Sequence, residues 1–264
     1  MRTFLAYGNV VVALAAMALV PLEFWAEGEG RYPLFVFCST LAAYGYMHLR
    51  QLKETVAAVH PVLFFTQSNR FTVTALTIVA ALLATWLLMK LPTIQQMLII
   101  PAIAISALYP STPLVQGGLR SVPKLKLPLI AFTWMWVCVV IPAWPLQFVD
   151  GLRMAMVFSW ILALAIAFDI RDLHYDKAAL QTLPQKNRAG ALRWAHGFNM
   201  LAALATGGLL NTVGMGWKGL FQLLPFALTA LALERIKRSP DPLFISFYVE
   251  ALPLSYFLIA LWLV

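Results

Sequence analysis

Charge is what this sequence has least of. Its 264 residues hold 11 acidic and 19 basic side chains, 11% charged against 61% hydrophobic, where a soluble domain is about 25% charged and roughly 45–50% apolar. That excludes an ordinary water-soluble globule, and the chain reads as an integral membrane protein. Cysteine is nearly absent too. Cys38 and Cys138 both sit in apolar runs, which leaves neither a disulfide framework nor a zinc ligand set. No phosphate-cradling glycine loop, Ser/His/Asp arrangement or haem-attachment motif is visible. Long polar or Gly/Ser-rich linkers are also missing, so residues 1–264 are read as a single transmembrane domain.

What the chain has in abundance is apolar runs of about 20 residues, the length that spans a bilayer's hydrocarbon core. Nine occur, near 4–22, 33–49, 71–89, 94–109, 128–148, 153–168, 191–211, 217–233 and 242–263. The expected fold is therefore an all-α integral membrane protein of nine transmembrane helices. The first run lacks a small-residue cleavage site before "EFWAEGEG" and is expected to be a retained helix, not a signal peptide. Asn9 and Glu250 lie inside spans, where polar groups are expensive. Structural roles are expected for both: Asn9 bridging helices, and Glu250 satisfying backbone freed by a kink at Pro253.

The net charge of +8 does not point to nucleic acid, because the basic residues lie in short loops between apolar runs. They alternate by side. The amino terminus and the loops after spans two, four, six and eight carry fifteen of the nineteen Lys and Arg residues; only Arg31, Lys90, Arg153 and Lys218 lie opposite. The positive-inside rule then gives a cytoplasmic amino terminus and an outside carboxyl terminus. A bacterial cytoplasmic (inner) membrane is the expected location.

Against this scarcity of acids, "FDIRDLHYDK", Phe168 to Lys177, places three aspartates at the cytoplasmic end of span six. On a helix advancing 100° per residue, Asp169, Asp172 and Asp176 project within about 60° of one another. Like charges at these spacings repel, and a helix carboxyl end is the wrong pole for anions. Arg171 and Lys177 with interfacial water are one compensation. A divalent metal is the other, since Mg²⁺ takes one or two carboxylates and completes its shell with water and phosphate oxygens. The loop Tyr109 to Pro128 supplies Arg120, Lys124 and Lys126 on the same side. Carboxylates for metal beside cations for phosphate suit a prenyl diphosphate, or another isoprenoid lipid, whose tail lies in the bilayer.

"DIRDLHYDKAALQTLP", Asp169 to Pro184, resembles the second aspartate-rich motif of the UbiA superfamily of intramembrane aromatic prenyltransferases, where D-x-x-D-x-x-x-D runs into a Thr-Leu-Pro loop. "LYPSTPLVQGGLRSVPKLKLPLIAFTW", Leu108 to Trp134, is similar to that family's Tyr-containing end of helix four and the basic loop into helix five. The resemblance implies a UbiA-type nine-helix bundle that moves a prenyl group from a prenyl diphosphate to a membrane-associated, aromatic acceptor. It also implies Mg²⁺ on Asp169, Asp172 and Asp176, with Asp172 and Asp176 in the catalytic step. Tyr109, Arg120, Lys124, Lys126, Arg171 and Lys177 would bind the substrate diphosphate. Charge developing on the departing oxygens would be neutralised electrostatically. Tyr109, Trp134, Trp136 and Trp160 are the aromatic candidates for shielding an allylic cation.

One half of the family pattern is missing. Its first motif, N-D-x-x-D-x-x-x-D on helix two, falls on "LAAYGYMHLRQLKE", Leu41 to Glu54, which contains no aspartate. His48, Arg50 and Lys53 stand there instead, and histidine is a poor Mg²⁺ ligand. Three explanations stay open. These residues hold the diphosphate directly, with Arg50 the strongest grip; the chain binds a prenyl lipid without reacting it; or it is a structural subunit of a membrane complex.

Overall fold

A computed structural model of the chain describes residues 2–26, 30–52, 60–110, 118–122, 124–173, 175 and 181–263. Every regular element among them is helical. In order these are α1 (Arg2–Tyr7), α2 (Val10–Ala18), α3 (Glu23–Ala26), α4 (Arg31–Gln51), α5 (Pro61–Ser68), α6 (Arg70–Leu88), α7 (Thr93–Leu98) and α8 (Ile100–Leu108). Then follow α9 (Lys126–Met135), α10 (Phe148–Arg171), α11 (Leu183–Lys186), α12 (Arg188–Thr212), α13 (Leu224–Arg238), α14 (Pro242–Phe244) and α15 (Leu252–Leu263). Among the described residues four helical stretches, Arg70–Leu88, Phe148–Arg171, Gly216–Arg238 and Pro242–Leu263, are long and apolar enough to cross a membrane.

α10 is the axis of the packing, lying against α9 on one side and α12 on the other. Its apolar residues are small or well matched: Val157, Trp160, Ala163, Ile166 and Ala167 are fully buried. A reciprocal cap starts it, with the Gln147 N–H donating to Asp150 Oδ2 at 2.9 Å. Contacts continue from α12 to α13, from α13 to α15, from α15 to α2, and through α4 to α6. Between α4 and α6 the backbones come close because Gly45 has no Cβ to strike Thr77. By contrast α6 turns Ile78, Val79, Leu82, Leu83 and Trp86 outward, the surface an apolar solvent would cover.

Single hydrogen bonds tie neighbouring helices together. The Trp160 indole donates to Thr229 Oγ1 at 3.0 Å, and the Asn199 amide to the Phe226 carbonyl at 2.9 Å. After α9 the helix widens into a π turn at Trp136–Val140, where the Tyr32 hydroxyl donates to the Val137 carbonyl at 2.6 Å. Trp136 donates to the Leu98 carbonyl at 2.8 Å. Trp136 and Trp160 are thus packing residues, and Trp160 meets Phe226 at a tilt with ring centres 4.7 Å apart. Cys38 and Cys138 are both free and buried.

Candidate functional site

The end of α10 holds the site together. The sequence reading carries the helix on through Asp176; the structure ends it at Arg171, with Asp172 as the terminal cap at φ −85°, ψ 0°. The chain then turns, the Tyr175 N–H donating to the Asp172 carbonyl at 2.8 Å. Arg171 folds onto its neighbour, Nε donating to Asp172 Oδ1 at 2.6 Å and a terminal nitrogen to Oδ2 at 3.1 Å. Its other terminal nitrogen donates to Ser246 Oγ at 2.6 Å, on a second π turn at Ile245–Val249. Asp176, Lys177 and Lys53 lie outside the described residues.

Asp169 is almost fully buried, at 1% exposure, and Lys126 Nζ lies 2.7 Å from its Oδ1. Lys126 opens α9, so this pair joins two helices distant in sequence. Arg120 is brought to the same place by a tight turn. Gly118, at φ 68° and ψ 173°, adopts a backbone open essentially to glycine alone, and a Cβ there would strike the Tyr109 carbonyl oxygen and the Pro110 backbone. The Arg120 N–H then donates to the Tyr109 carbonyl at 3.1 Å.

These groups line one cavity of about 180 Å³. Of the residues expected from sequence, His48, Tyr109, Arg120, Lys126, Asp169, Arg171 and Asp172 are in its wall. Lys124 is exposed and Arg50 half-buried, and neither belongs to that wall. Trp134 lines it and Trp136 does not.

Several polar residues of the wall were not expected there, among them His60, Ser246, Asn9 and Glu250. His60 precedes Pro61, which opens α5 and holds His60 extended at φ −90°, ψ 122°. From there His60 Nε2 reaches Asp172 Oδ1 at 3.2 Å, while the ring meets Tyr175 edge to face at 4.7 Å. The His-Pro pair was the legible signal. Ser246 faces the cavity beside Arg171. Asn9 breaks the first span, at φ 65° between α1 and α2, and lines the cavity without capping α2. Asparagine tolerates that left-handed geometry better than most residues. Glu250 also lines the cavity, with Oε2 buried and without a hydrogen-bond partner among the described residues. That oxygen is therefore not engaged by the backbone near Pro253.

Burial opposes charge on Asp172, but the Arg171 guanidinium, the hydrogen bonds from His60 and Arg171, and Lys126 beyond them hold its carboxyl well below the usual carboxylate range. The fit to Mg²⁺ follows from the same contacts. Mg²⁺ needs carboxylate oxygens in an octahedral shell, and here the Asp172 oxygens are gripped by Arg171 and His60 while Lys126 holds Asp169. Among the described residues the donor set suits ion pairs, and a metal would have to displace Lys126 or Arg171.

A second cavity of about 580 Å³ adjoins the first. Tyr44, Met47, Tyr109, Ile130 and Trp134 line both. Its remaining wall is mostly apolar, broken by the hydroxyls of Ser39, Thr40, Thr77, Thr85, Ser106 and Thr133, and comes chiefly from α4, α6, α8 and α9. No protein-family model, curated protein or solved structure matches the chain.

Proposed function

We propose that the chain is a UbiA-like membrane prenyltransferase, moving a prenyl group from a prenyl diphosphate to a membrane-associated aromatic acceptor. The observation that carries this reading is the shared aromatic wall between a polar cavity with Arg120, Lys126 and Arg171 and a larger apolar one. A diphosphate head belongs with the cations, and a hydrocarbon tail with the apolar cavity. The bond that breaks, between the first tail carbon and the diphosphate oxygen, then lies beside Tyr109 and Trp134, whose π faces favour a developing allylic cation. Arg120, Lys126 and Arg171 neutralise the departing oxygens, and no step is routed through a metal. Nine spans, a UbiA-type bundle and an amino terminus in the cytoplasm of a bacterial inner membrane complete the proposal.

A second reading, a non-catalytic isoprenoid-binding subunit of a membrane complex, is favoured by a different observation. The three cations of the wall are matched by three carboxyl side chains, Asp169, Asp172 and Glu250, and two of these are already ion-paired. A substrate diphosphate must compete with them.

The test is calorimetric titration of the purified full chain with geranyl diphosphate, geraniol and inorganic diphosphate, followed by a radiolabelled transfer assay with quinone-precursor phenols. The proposal expects geranyl diphosphate to bind at least tenfold tighter than either fragment and to be turned over. Binding without turnover selects the subunit. Equal, weak binding of all three would falsify both readings.

A further inference from the structure

Gln222 lies where a membrane-spanning helix would ordinarily carry an apolar residue. It belongs to the stretch Gly216–Arg238, long and apolar enough to cross a membrane, and it is only 4% exposed. The cause is local. Gly216–Leu223 winds as a 3-10 helix, in which residues three apart eclipse one another, so Gln222 faces inward with Gly219. A Cβ at Gly219 would meet Leu210 Cδ2 and Met215 Cβ, each at 3.1 Å, and the glycine thus lets this turn settle against both residues. Gln222 Oε1 is buried and has no hydrogen-bond partner among the described residues. A polar group in a membrane span is expensive and points to a function, and a buried acceptor without a donor is costly in its own right.

Gln222 lines a third cavity, of about 170 Å³, at the start of α10. Arg153 and Arg171 stand near the two ends of that helix, about 27 Å apart at a rise of about 1.5 Å per residue. The third cavity is therefore remote from the polar one, and among the described residues none lines both. Met156, Leu209, Val213 and Phe257 give it apolar walls, while Arg153 and the half-exposed Glu23 complete it. Arg153 donates to both Glu23 oxygens, at 2.6 and 2.8 Å, and to Asp150 Oδ1 at 3.0 Å. One guanidinium is thus matched by two carboxylates. An anionic head group would meet surplus negative charge, and an ammonium would lose its water to a mostly apolar wall. A neutral donor meets neither cost, and a hydroxyl is the simplest. An apolar cavity of about 150 Å³ holds a benzene ring, so this one has room for one end of a lipid. We infer that the cavity at the start of α10 is a binding site for a neutral lipid alcohol, whose hydroxyl donates to Gln222 Oε1 and whose first carbons lie against Met156, Leu209 and Phe257. The site stands apart from the polar cavity and does not depend on the prenyl diphosphate reading.

Methionines supply local reporters. Met156 and Met215 line this cavity, and Met47 lines both of the others. The full chain, labelled with ¹³C at its methionine methyls and held in lipid nanodiscs, is titrated with 1-octanol and with heptyl methyl ether, isomers of which the second has no donor. The expected result is saturable movement of the Met156 and Met215 resonances by the alcohol, with Met47 still. The alcohol is expected to bind about fivefold tighter than the ether, the size of one hydrogen bond to a buried acceptor. Gln222→Leu should bring the alcohol down to the ether's affinity. Equal affinity of alcohol and ether for the wild type overturns the inference without needing any variant to fold. So does a shift that never saturates or moves Met47 as much, which is partition into the bilayer, and so does a preference that survives Gln222→Leu. Farnesol and 1-octanoylglycerol form two further arms, and the tighter of them names the source of the hydroxyl as isoprenoid or glycerolipid. Failure of both to move Met156 and Met215 counts against a lipid alcohol altogether.

Discussion

Lys126 Nζ lies 2.7 Å from Asp169 Oδ1, and that contact fastens the start of α9 to the buried end of α10. Both side chains are largely withdrawn from solvent, at 12% and 1% exposure. Buried pairs add little stability over an apolar match, but removing one partner is strongly destabilising. The expected outcome is that Lys126→Met costs about 3 kcal/mol. Lys126→Met combined with Asp169→Leu recovers most of it, giving a coupling of about 2 kcal/mol. Thermal unfolding in detergent of the two single variants and the double variant checks this. Additive losses would show that the pair is not coupled.

The placement of the cations separates three residues that the sequence treats alike. Arg120 lines the polar cavity, whereas Lys124 is exposed and Arg50 stands outside the wall. Losing a hydrogen bond to a charged group costs about 1.5–3 kcal/mol, so Arg120→Ala is expected to weaken geranyl diphosphate binding at least tenfold. Lys124→Ala and Arg50→Ala should change it less than threefold. Calorimetry on the three variants decides, and a larger effect at Arg50 would return the head group to helix α4.

Metal dependence follows from what holds the carboxylates. With Asp169 on Lys126 and Asp172 on Arg171 and His60, geranyl diphosphate affinity is expected to change less than threefold between 5 mM EDTA and 5 mM Mg²⁺, concentrations of about the size needed to deplete or saturate such a site. Raising the salt should weaken it instead, as screening of a cation-held anion requires. An affinity that collapses in EDTA would mean that Mg²⁺ displaces the cations.

Asp172 sets an acid limit. Its carboxyl is held below its ordinary value chiefly against the opposing effect of burial, by Arg171 and the hydrogen bonds it accepts. A depressed folded value contributes stability that is fully present above the unfolded value of about 3.9 and is lost as pH falls through the folded one. Wild type should therefore exceed Asp172→Asn in Tm by a constant margin from pH 7 to about pH 5, and the margin should shrink below about pH 4. A margin that already closes between pH 7 and 5 would assign the effect to another group.

The apolar cavity makes a prediction about tail length. Ala102 of α8 is buried and lines it. Ala102→Phe should lower geranylgeranyl diphosphate affinity about tenfold, an overpacking loss of the expected size, with geranyl diphosphate less affected. Equal losses for both chains would place the tail elsewhere.

Several features were legible along the chain because they depend on neighbours in sequence. Apolar runs became helices, the two cysteines became core, and the basic loop before α9 was read as facing the carboxylates of α10. His48, Tyr109, Arg120, Lys126, Asp169, Arg171 and Asp172 do meet in one cavity. The helix expected to continue past Arg171 instead leaves helical geometry at Asp172, and Asp176 lies outside the described residues. Lys124, expected beside the cavity residues, is exposed and outside that wall.

Composition and spacing by themselves determined that this chain would form apolar helices with its few charges at their ends, because burying charge in an apolar medium is prohibitively costly whatever the fold. Tertiary structure decided which distant charges meet. The His60–Asp172 contact spans 112 residues, and Lys126 finds Asp169 only because α9 packs on α10. Asn9, Ser246 and Glu250 reach the same cavity through a break in the first span and a π turn in the last, local departures from regular helix that periodicity does not encode. A pairing across helices depends on rotation and depth of each helix in the bundle, and those are fixed by packing, which no single stretch of sequence contains.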